Sequence, residues 1–348
     1  MLVSDFDFDL PPEQIAQTPT DDRESARLLV VDRSCPELAD RCVVDLPDLL
    51  VPGDLLVINE TRVFPARMLG HRVPTGGAVE CLLLSRLDHD RWEALMHPGQ
   101  KLRVGARVLF EREGRRLHAE VLGREAYGRR TIRLWGEGGE RVEDLIDALG
   151  HVPLPPYIRR PDRSVDRERY QTVYASVRGS VAAPTAGLHL TDAMLRRCAD
   201  RGIDVARVTL HVGYGTFKPI RVDRVEDHRV DAEPYDLPPE TAAAVNRALD
   251  TGRRVVAVGT TTTRALETAV RVGDGRLRAG PGLSELYLYP GLSFKAVGAL
   301  FTNFHLPRSS LLMLVSALGG QARVLAAYRE AVRRGYRFYS YGDAMLLL

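Results

Sequence analysis

The residues best suited to chemistry lie in a stretch poor in bulk, Gly179-Ser180-Val181-Ala182-Ala183-Pro184-Thr185-Ala186-Gly187-Leu188-His189. Small side chains let a backbone approach a ligand closely, and Pro184 with the two glycines fixes the turn. Ser180 and Thr185 supply hydroxyls, Gly187 supplies room and His189 supplies an imidazole. The run reads as a substrate-holding loop. A second histidine, His211, falls near the end of the strand-like Val205 to Val212, just before Gly213-Tyr214-Gly215-Thr216-Phe217. Imidazole titrates near neutral pH and strand ends are where α/β proteins assemble sites, so His211 is the candidate general base.

Three further segments set polar groups between apolar ones. Val255 to Val258, then Gly259 and Thr260-Thr261-Thr262-Thr263-Arg264, read as a buried strand, a glycine turn and a helix from about Thr263. Free N–H groups and hydroxyls at such a turn suit a carboxylate or another anion. The P-loop lysine and the G-x-G-x-x-G pattern are missing, so neither a nucleoside triphosphate nor a nicotinamide cofactor is indicated. Thr302-Asn303-Phe304-His305-Leu306-Pro307 forms a polar knot, with Ser309 and Ser310 placed to cap the following helix. Tyr336 to Met345 gathers aromatic rings around Asp343. Such rings either fill core or stack on a purine, with the carboxylate meeting ring nitrogens.

The elements that must hold these residues follow from length and pattern. A chain of 348 residues exceeds the roughly 250 to 300 at which one core stops growing, so two domains are expected. Leu28 to Val31 and Gly53 to Asn59 read as buried strands, and Pro11 to Ala16 as a short helix. From Met68 to Gly150 the pattern turns to short alternating runs broken by glycines, which predicts an inserted antiparallel β domain, with closure into a barrel removing its edges. Alternating helices and strands then return: Thr191 or Asp192 caps one helix and Pro239 opens another. The expected fold class is α/β, a mixed sheet covered by helices (1–67 and 151–348), with a small antiparallel β-barrel inserted at 68–150.

Composition narrows the partners. Cys35, Cys42, Cys81 and Cys198 form no C-x-x-C pair and no two histidines lie three to five residues apart, so no metal is expected and a reducing cytosol fits. The net charge of +2 hides an asymmetry: Met1–Glu60 holds 14 acids against 4 bases, and Lys101–Arg133 holds 10 bases against 4 acids. Arginines 112, 115, 116, 124, 129, 130 and 133 recur in alternating segments, which sets several on one exposed face, either solvated or facing phosphates. The acidic start does not suit a signal peptide, and Leu311 to Leu318 falls short of the roughly 18 residues that span a bilayer. A cytoplasmic protein with no membrane partner is expected.

Several stretches together resemble the S-adenosylmethionine:tRNA ribosyltransferase-isomerases of queuosine biosynthesis. They are Phe8 to Pro11, Gly53 to Arg67, Pro153 to Ile158, Asp166 to Tyr174, Ser180 to Leu188, Thr209 to Pro219, Val258 to Thr261, Thr302 to Pro307 and Tyr336 to Met345. They run the length of the chain. The resemblance implies an α/β domain interrupted by a β-barrel, and an enzyme that moves and isomerises the ribosyl part of S-adenosylmethionine onto the 7-aminomethyl-7-deazaguanine at the tRNA wobble position. Epoxyqueuosine forms, and adenine and methionine leave. S-adenosylmethionine is then a co-substrate, with no true cofactor, and the partner is a tRNA with a GUN-type anticodon, met by a monomer.

Under this resemblance His211 is the base, His189 a second catalytic imidazole, and Asp343 the group facing adenine or deazaguanine. Arg264 with Thr261 would hold the methionine carboxylate. Tyr157, Tyr170 and Tyr341 would stack on the base, while Ser180, Thr185, Gly187, Asn303 and His305 would cradle substrate. Arg112, Arg115, Arg116, Arg129 and Arg130 would follow tRNA phosphates. The chain departs from the family's pattern at Asp231, where a second histidine near His228 is usual, at Leu190 in place of an aromatic, and at Thr262 in place of a turn serine. Two alternatives are an S-adenosylmethionine-dependent RNA methyltransferase, which would leave labelled methyl on RNA, and a non-catalytic tRNA-binding protein, which would release no adenine.

Overall fold

Leu55-Leu56-Val57-Ile58 alternates perfectly in space without alternating in polarity: Leu55 and Val57 enter one apolar core, Leu56 and Ile58 another. A strand buried on both faces needs covering on both, and the computed structural model, which describes residues 1–125 and 128–348, supplies it. The strands are β1 (Arg27–Val31), β2 (Leu38–Cys42), β3 (Leu55–Asn59), β4 (Thr61–Val63), β5 (Arg67–Val73), β6 (Ala78–Arg86), β7 (Arg91–His97), β8 (Arg107–Arg112), β9 (Arg115–Arg124), β10 (Arg129–Gly136), β11 (Val177–Ser180), β12 (Asp204–Leu210), β13 (Glu233–Leu237), β14 (Val255–Val258), β15 (Gly280–Ser284), β16 (Ala299–Asn303) and β17 (Ala344–Leu347). The helices are α1 (Leu46–Leu49), α2 (Val142–Leu149), α3 (Asp166–Arg169), α4 (Asp192–Asp200), α5 (Pro239–Asp250), α6 (Thr260–Val272), α7 (Ser310–Gly319) and α8 (Gln321–Arg333).

Nine strands form one mixed sheet in the order β15-β13-β12-β3-β14-β16-β17-β1-β2. Its centre, β12-β3-β14-β16, is parallel; on one side β13 pairs antiparallel with β12 and β15 with β13, and on the other β17 pairs antiparallel with β16, β1 parallel with β17 and β2 antiparallel with β1. Helices α5 to α8 pack on the face of Val57, and α1 and α4 on the face of Ile58. Strands β5 to β10 close into a separate barrel around Met68, Leu83, Phe110, Leu117 and Ile132, with Leu145 and Ile146 of α2 packed onto its core. Closure leaves no unpaired edge. β5 and β8 approach so closely that a Cβ on Gly70 would lie 2.4 Å from the Leu109 carbonyl oxygen.

Local readings of the sequence differ from the fold in instructive places. Pro12–Gln14 is a single 3₁₀ turn because Ile15 leaves to bridge with Phe338. β12 stops at Leu210, short of Val212, since the Asn59 side chain takes both the N–H of Leu210 (3.1 Å) and its carbonyl (2.9 Å). α6 starts at Thr260 because Gly259, at φ +88°, turns the chain one residue earlier. Among the described residues no single helix is long and apolar enough to cross a membrane.

Candidate active site

The parallel strands release their C-terminal ends into one cavity, the usual place for a site in an open α/β sheet. Gly259, Thr260 and Thr261 follow β14, Thr302 to His305 end β16, and Val212 follows β12. Ala182 to Ala186 of the small-residue loop form the facing wall, with Tyr157, Tyr170, Phe217, Tyr339 and Ser340 around the rest. The space is tight, about 50 Å³. It opens beside a second cavity of about 510 Å³, with which it shares Thr216, Phe217 and Leu311. The second lies within the roughly 300–1,000 Å³ of small-molecule sites.

Hydrogen bonds link the polar residues of the first cavity. Thr185 donates through Oγ1 to Asn303 Oδ1 (3.0 Å), and Asn303 Nδ2 donates to His189 Nε2 (3.0 Å). Burial lowers His189 to about 4, so the imidazole is neutral and its Nε2 is a committed acceptor. His305 is lowered to about 3, again by burial. The Tyr328 hydroxyl accepts the His305 backbone N–H (3.2 Å) and so offers its proton to Nδ1 (3.2 Å). That leaves Nε2–H of His305 as a donor beside Thr302.

Two tyrosines mark the wall as built for something. Tyr339 holds φ +74°, a conformation that costs a bulky residue strain and clusters at functional sites. Its ring meets Tyr157 edge-on at 3.9 Å, and the Tyr157 hydroxyl bonds Ser340 Oγ at 2.5 Å. Tyr170 is 1% exposed and lines the cavity, and its hydroxyl stands near Ser340 and the Ala183 backbone without a well-formed hydrogen bond to either. An enclosed hydroxyl without a partner is costly unless a ligand completes it.

At the start of α6, Thr262 and Thr263 turn their hydroxyls back to the carbonyls of Val258 and Gly259. Thr260 and Thr261 are left facing the cavity with the helix N-terminus, where an anion is favoured. Arg264, one turn on, faces the second cavity instead. Its guanidinium is engaged by Glu233 (2.5 Å) and by the carbonyls of Leu286 and Ser284, so pairing it with Thr261 on one carboxylate has to be corrected.

Of the sequence-based candidates, Tyr157, Tyr170, Thr185, Thr261, Asn303 and His305 therefore share one cavity, with His189 directly behind. Others lie elsewhere. His211 bonds Thr61 Oγ1 through Nδ1 (2.8 Å), and its ring covers Gly179, where a Cβ would sit 2.6 Å away. Ser180 Oγ accepts the Val212 N–H (2.7 Å) and donates to Ala182 O, stitching the loop down. Gly187 makes room for Tyr174, whose hydroxyl would be 2.2 Å from a Cβ. Tyr341 donates to Asp166, itself paired with Arg160. Asp343 accepts the backbone N–H groups of Arg27 (3.0 Å) and Arg337 (2.7 Å), which fixes a turn, and it is buried away from both cavities.

The barrel arginines divide as well. Arg130 is 1% exposed and donates to the carbonyls of Leu102 and Gly99, so its expected phosphate contact is corrected to an internal brace. Arg112 reaches the Ala148 carbonyl, and Arg116 pairs with Glu111. Arg115 is exposed at the β8–β9 turn, and Arg129 joins Glu93 and Asp231.

The second cavity is lined largely by residues that sequence reasoning passed over: Lys218, Arg221, Arg229, Glu233 and Tyr287, beside His228 and Asp231. Burial, then Arg229, lowers His228, whose ring stands edge-on to Tyr287 at 5.0 Å. The signal available was Glu233, an acid pointing inward on an otherwise apolar face of β13. Among the described residues no three His, Cys, Asp or Glu side chains stand where they could hold a metal ion.

A family model described as "Queuosine biosynthesis protein" matches residues 3–347, a range that includes every wall of both cavities. The chain belongs to the queuosine biosynthesis protein family. Its relatives include the S-adenosylmethionine:tRNA ribosyltransferase-isomerases of Symbiobacterium thermophilum, 54% identical, and Moorella thermoacetica, 50% identical, each over the whole of both chains. The crystal structure of the S-adenosylmethionine tRNA ribosyltransferase of Thermotoga maritima is 36% identical with a TM-score of 0.56, over 99% of this chain and 100% of that one.

Proposed function

We propose that this chain is an S-adenosylmethionine:tRNA ribosyltransferase-isomerase, acting on the 7-aminomethyl-7-deazaguanine of a tRNA with a GUN-type anticodon. The observation that carries the reading is the full-length match at about half identity to enzymes of that name. The sulfonium of S-adenosylmethionine acidifies the adjacent ribose methylene. A base removes that proton, adenine leaves, the aminomethyl nitrogen attacks the sugar, and epoxide closure expels methionine.

The geometry supports a division of labour between the cavities. The second has room for S-adenosylmethionine, and the ring face of Tyr287 suits a sulfonium cation. His228 is the base we favour over His211: it lines the large cavity and is held neutral, whereas His211 is turned onto Gly179. The N-terminus of α6 with Thr260 and Thr261 takes an anionic or strongly polar end of the substrate, in the role first given to Arg264 with Thr261. Tyr170 and the Nε2–H of His305 then meet polar atoms of the ribose or base, and Tyr157 stacks. We further infer that 68–150 is a unit inserted between 1–67 and 151–348, that the protein works as a cytoplasmic monomer, and that it needs no cofactor besides its co-substrate.

With methyl-labelled S-adenosylmethionine, the label should appear in free methionine while adenine accumulates in equal amount. Label on RNA would instead establish a methyltransferase.

A further inference from the structure

Lys218 and Arg129 come from distant parts of the chain, the loop after β12 and strand β10 of the barrel, yet meet on one oxygen. Asp231 Oδ2 accepts Lys218 Nζ at 2.5 Å and Arg129 Nη2 at 3.3 Å. The backbone is shaped to this carboxylate, since a Cβ on Gly215 would stand 2.6 Å from the same Oδ2. Arg221 and Arg229 line the same cavity, whose buried acid, Glu233, is already paired with Arg264. The three side chains of the bridge remain 43%, 32% and 35% exposed for Lys218, Arg129 and Asp231. Ion pairs so open to water contribute little to stability and are readily exchanged.

One oxygen shared by a lysine and an arginine on a cation-rich rim is what a phosphate oxygen would make of the same pair. We infer that this is a phosphodiester site for the RNA backbone beside the modified base, with Asp231 holding the two cations in place until the RNA displaces it. The inference rests on the tRNA reading above. Displacement exchanges a weak internal pair for phosphate contacts that also release counterions. Because Arg129 belongs to the barrel and Lys218 to the α/β part, one phosphate would tie both to the RNA at the mouth of the S-adenosylmethionine cavity.

Binding of an unmodified anticodon stem-loop RNA, measured from low to moderate salt, tests this without any turnover. Asp231→Asn should tighten binding several-fold and steepen the salt dependence. Lys218→Met and Arg129→Gln should each weaken it and flatten the log–log slope by about 0.7 to 0.9. Asp231→Asn binding no tighter than the native chain, with an unchanged slope, overturns the inference. Should that variant fail to fold, Lys218→Met decides alone: an unchanged slope refutes the site. Lys218→Met that weakens S-adenosylmethionine binding but leaves the RNA slope intact would assign the pair to the amino-acid carboxylate, again refuting it. A native chain that binds no RNA at all would count against the proposed function itself.

Discussion

Tyr170 is the most informative single residue, because its hydroxyl is enclosed on the cavity wall without a well-formed hydrogen bond. Leaving such a group unmade costs about 1–3 kcal/mol, so removing it should not harm the fold. Tyr170→Phe is expected to melt at the same temperature or higher while kcat/KM falls at least tenfold. Equal activity in both proteins would show the hydroxyl to be idle. The two buried imidazoles set a pH dependence of known sign. His189 and His305 are lowered to about 4 and about 3, so between those values and the unfolded value near 6.5 the unfolded chain binds the extra protons. Their contribution is present above pH 6.5 and is lost as pH falls toward 4 and then 3. Denaturant melts should therefore show stability falling as pH drops through this range. Buried Asp343 and Glu233, both raised by desolvation, act in the opposite sense. Imidazole titrations by NMR that place His189 and His305 near 6.5 in the folded chain would contradict the neutral assignments.

At the scale of elements, the site depends on how α6 is anchored. Glu267, on this helix, is wholly buried and accepts the backbone N–H groups of Lys295, Ala296 and Val297 at 2.8 to 3.1 Å, besides pairing with Arg271. Glu267→Ala would orphan all of them, and a loss of about 3–5 kcal/mol is expected in chemical denaturation. A loss under 1 kcal/mol would mean the loop holds itself. The signals for these elements were local and therefore legible in sequence: Thr191 and Ser309 do cap their helices through Met194 and Leu312 N–H groups. What sequence did not disclose was which way a side chain turns when a distant residue decides it. Asp343 looked like the group facing a purine because nothing nearby shows that the Arg27 N–H, 316 positions away, takes it. Thr61 and Gly179 similarly claim His211.

For the whole molecule, the shift to short alternating runs after Met68 was enough to anticipate the barrel that β5 to β10 close, since its core is built on a period of two. Charge was less faithful. The basic stretch Lys101–Arg133 suggested a uniform phosphate surface, but Arg130 is internal and Arg116 and Arg133 already face acids. The RNA surface should accordingly be uneven: Arg115→Ala is expected to weaken RNA binding and flatten its salt dependence, while Arg130→Ala should chiefly lower the melting temperature. Equal effects on binding from both would contradict the division. The central claim is that this fold brings S-adenosylmethionine and a modified tRNA together for ribosyl transfer. It is tested most directly by following adenine release chromatographically, with tRNA that carries or lacks the 7-aminomethyl-7-deazaguanine. Release matched by methionine, dependent on the modified base and abolished in His228→Ala but retained in His211→Ala, is the predicted result. No adenine with fully modified tRNA would contradict the account.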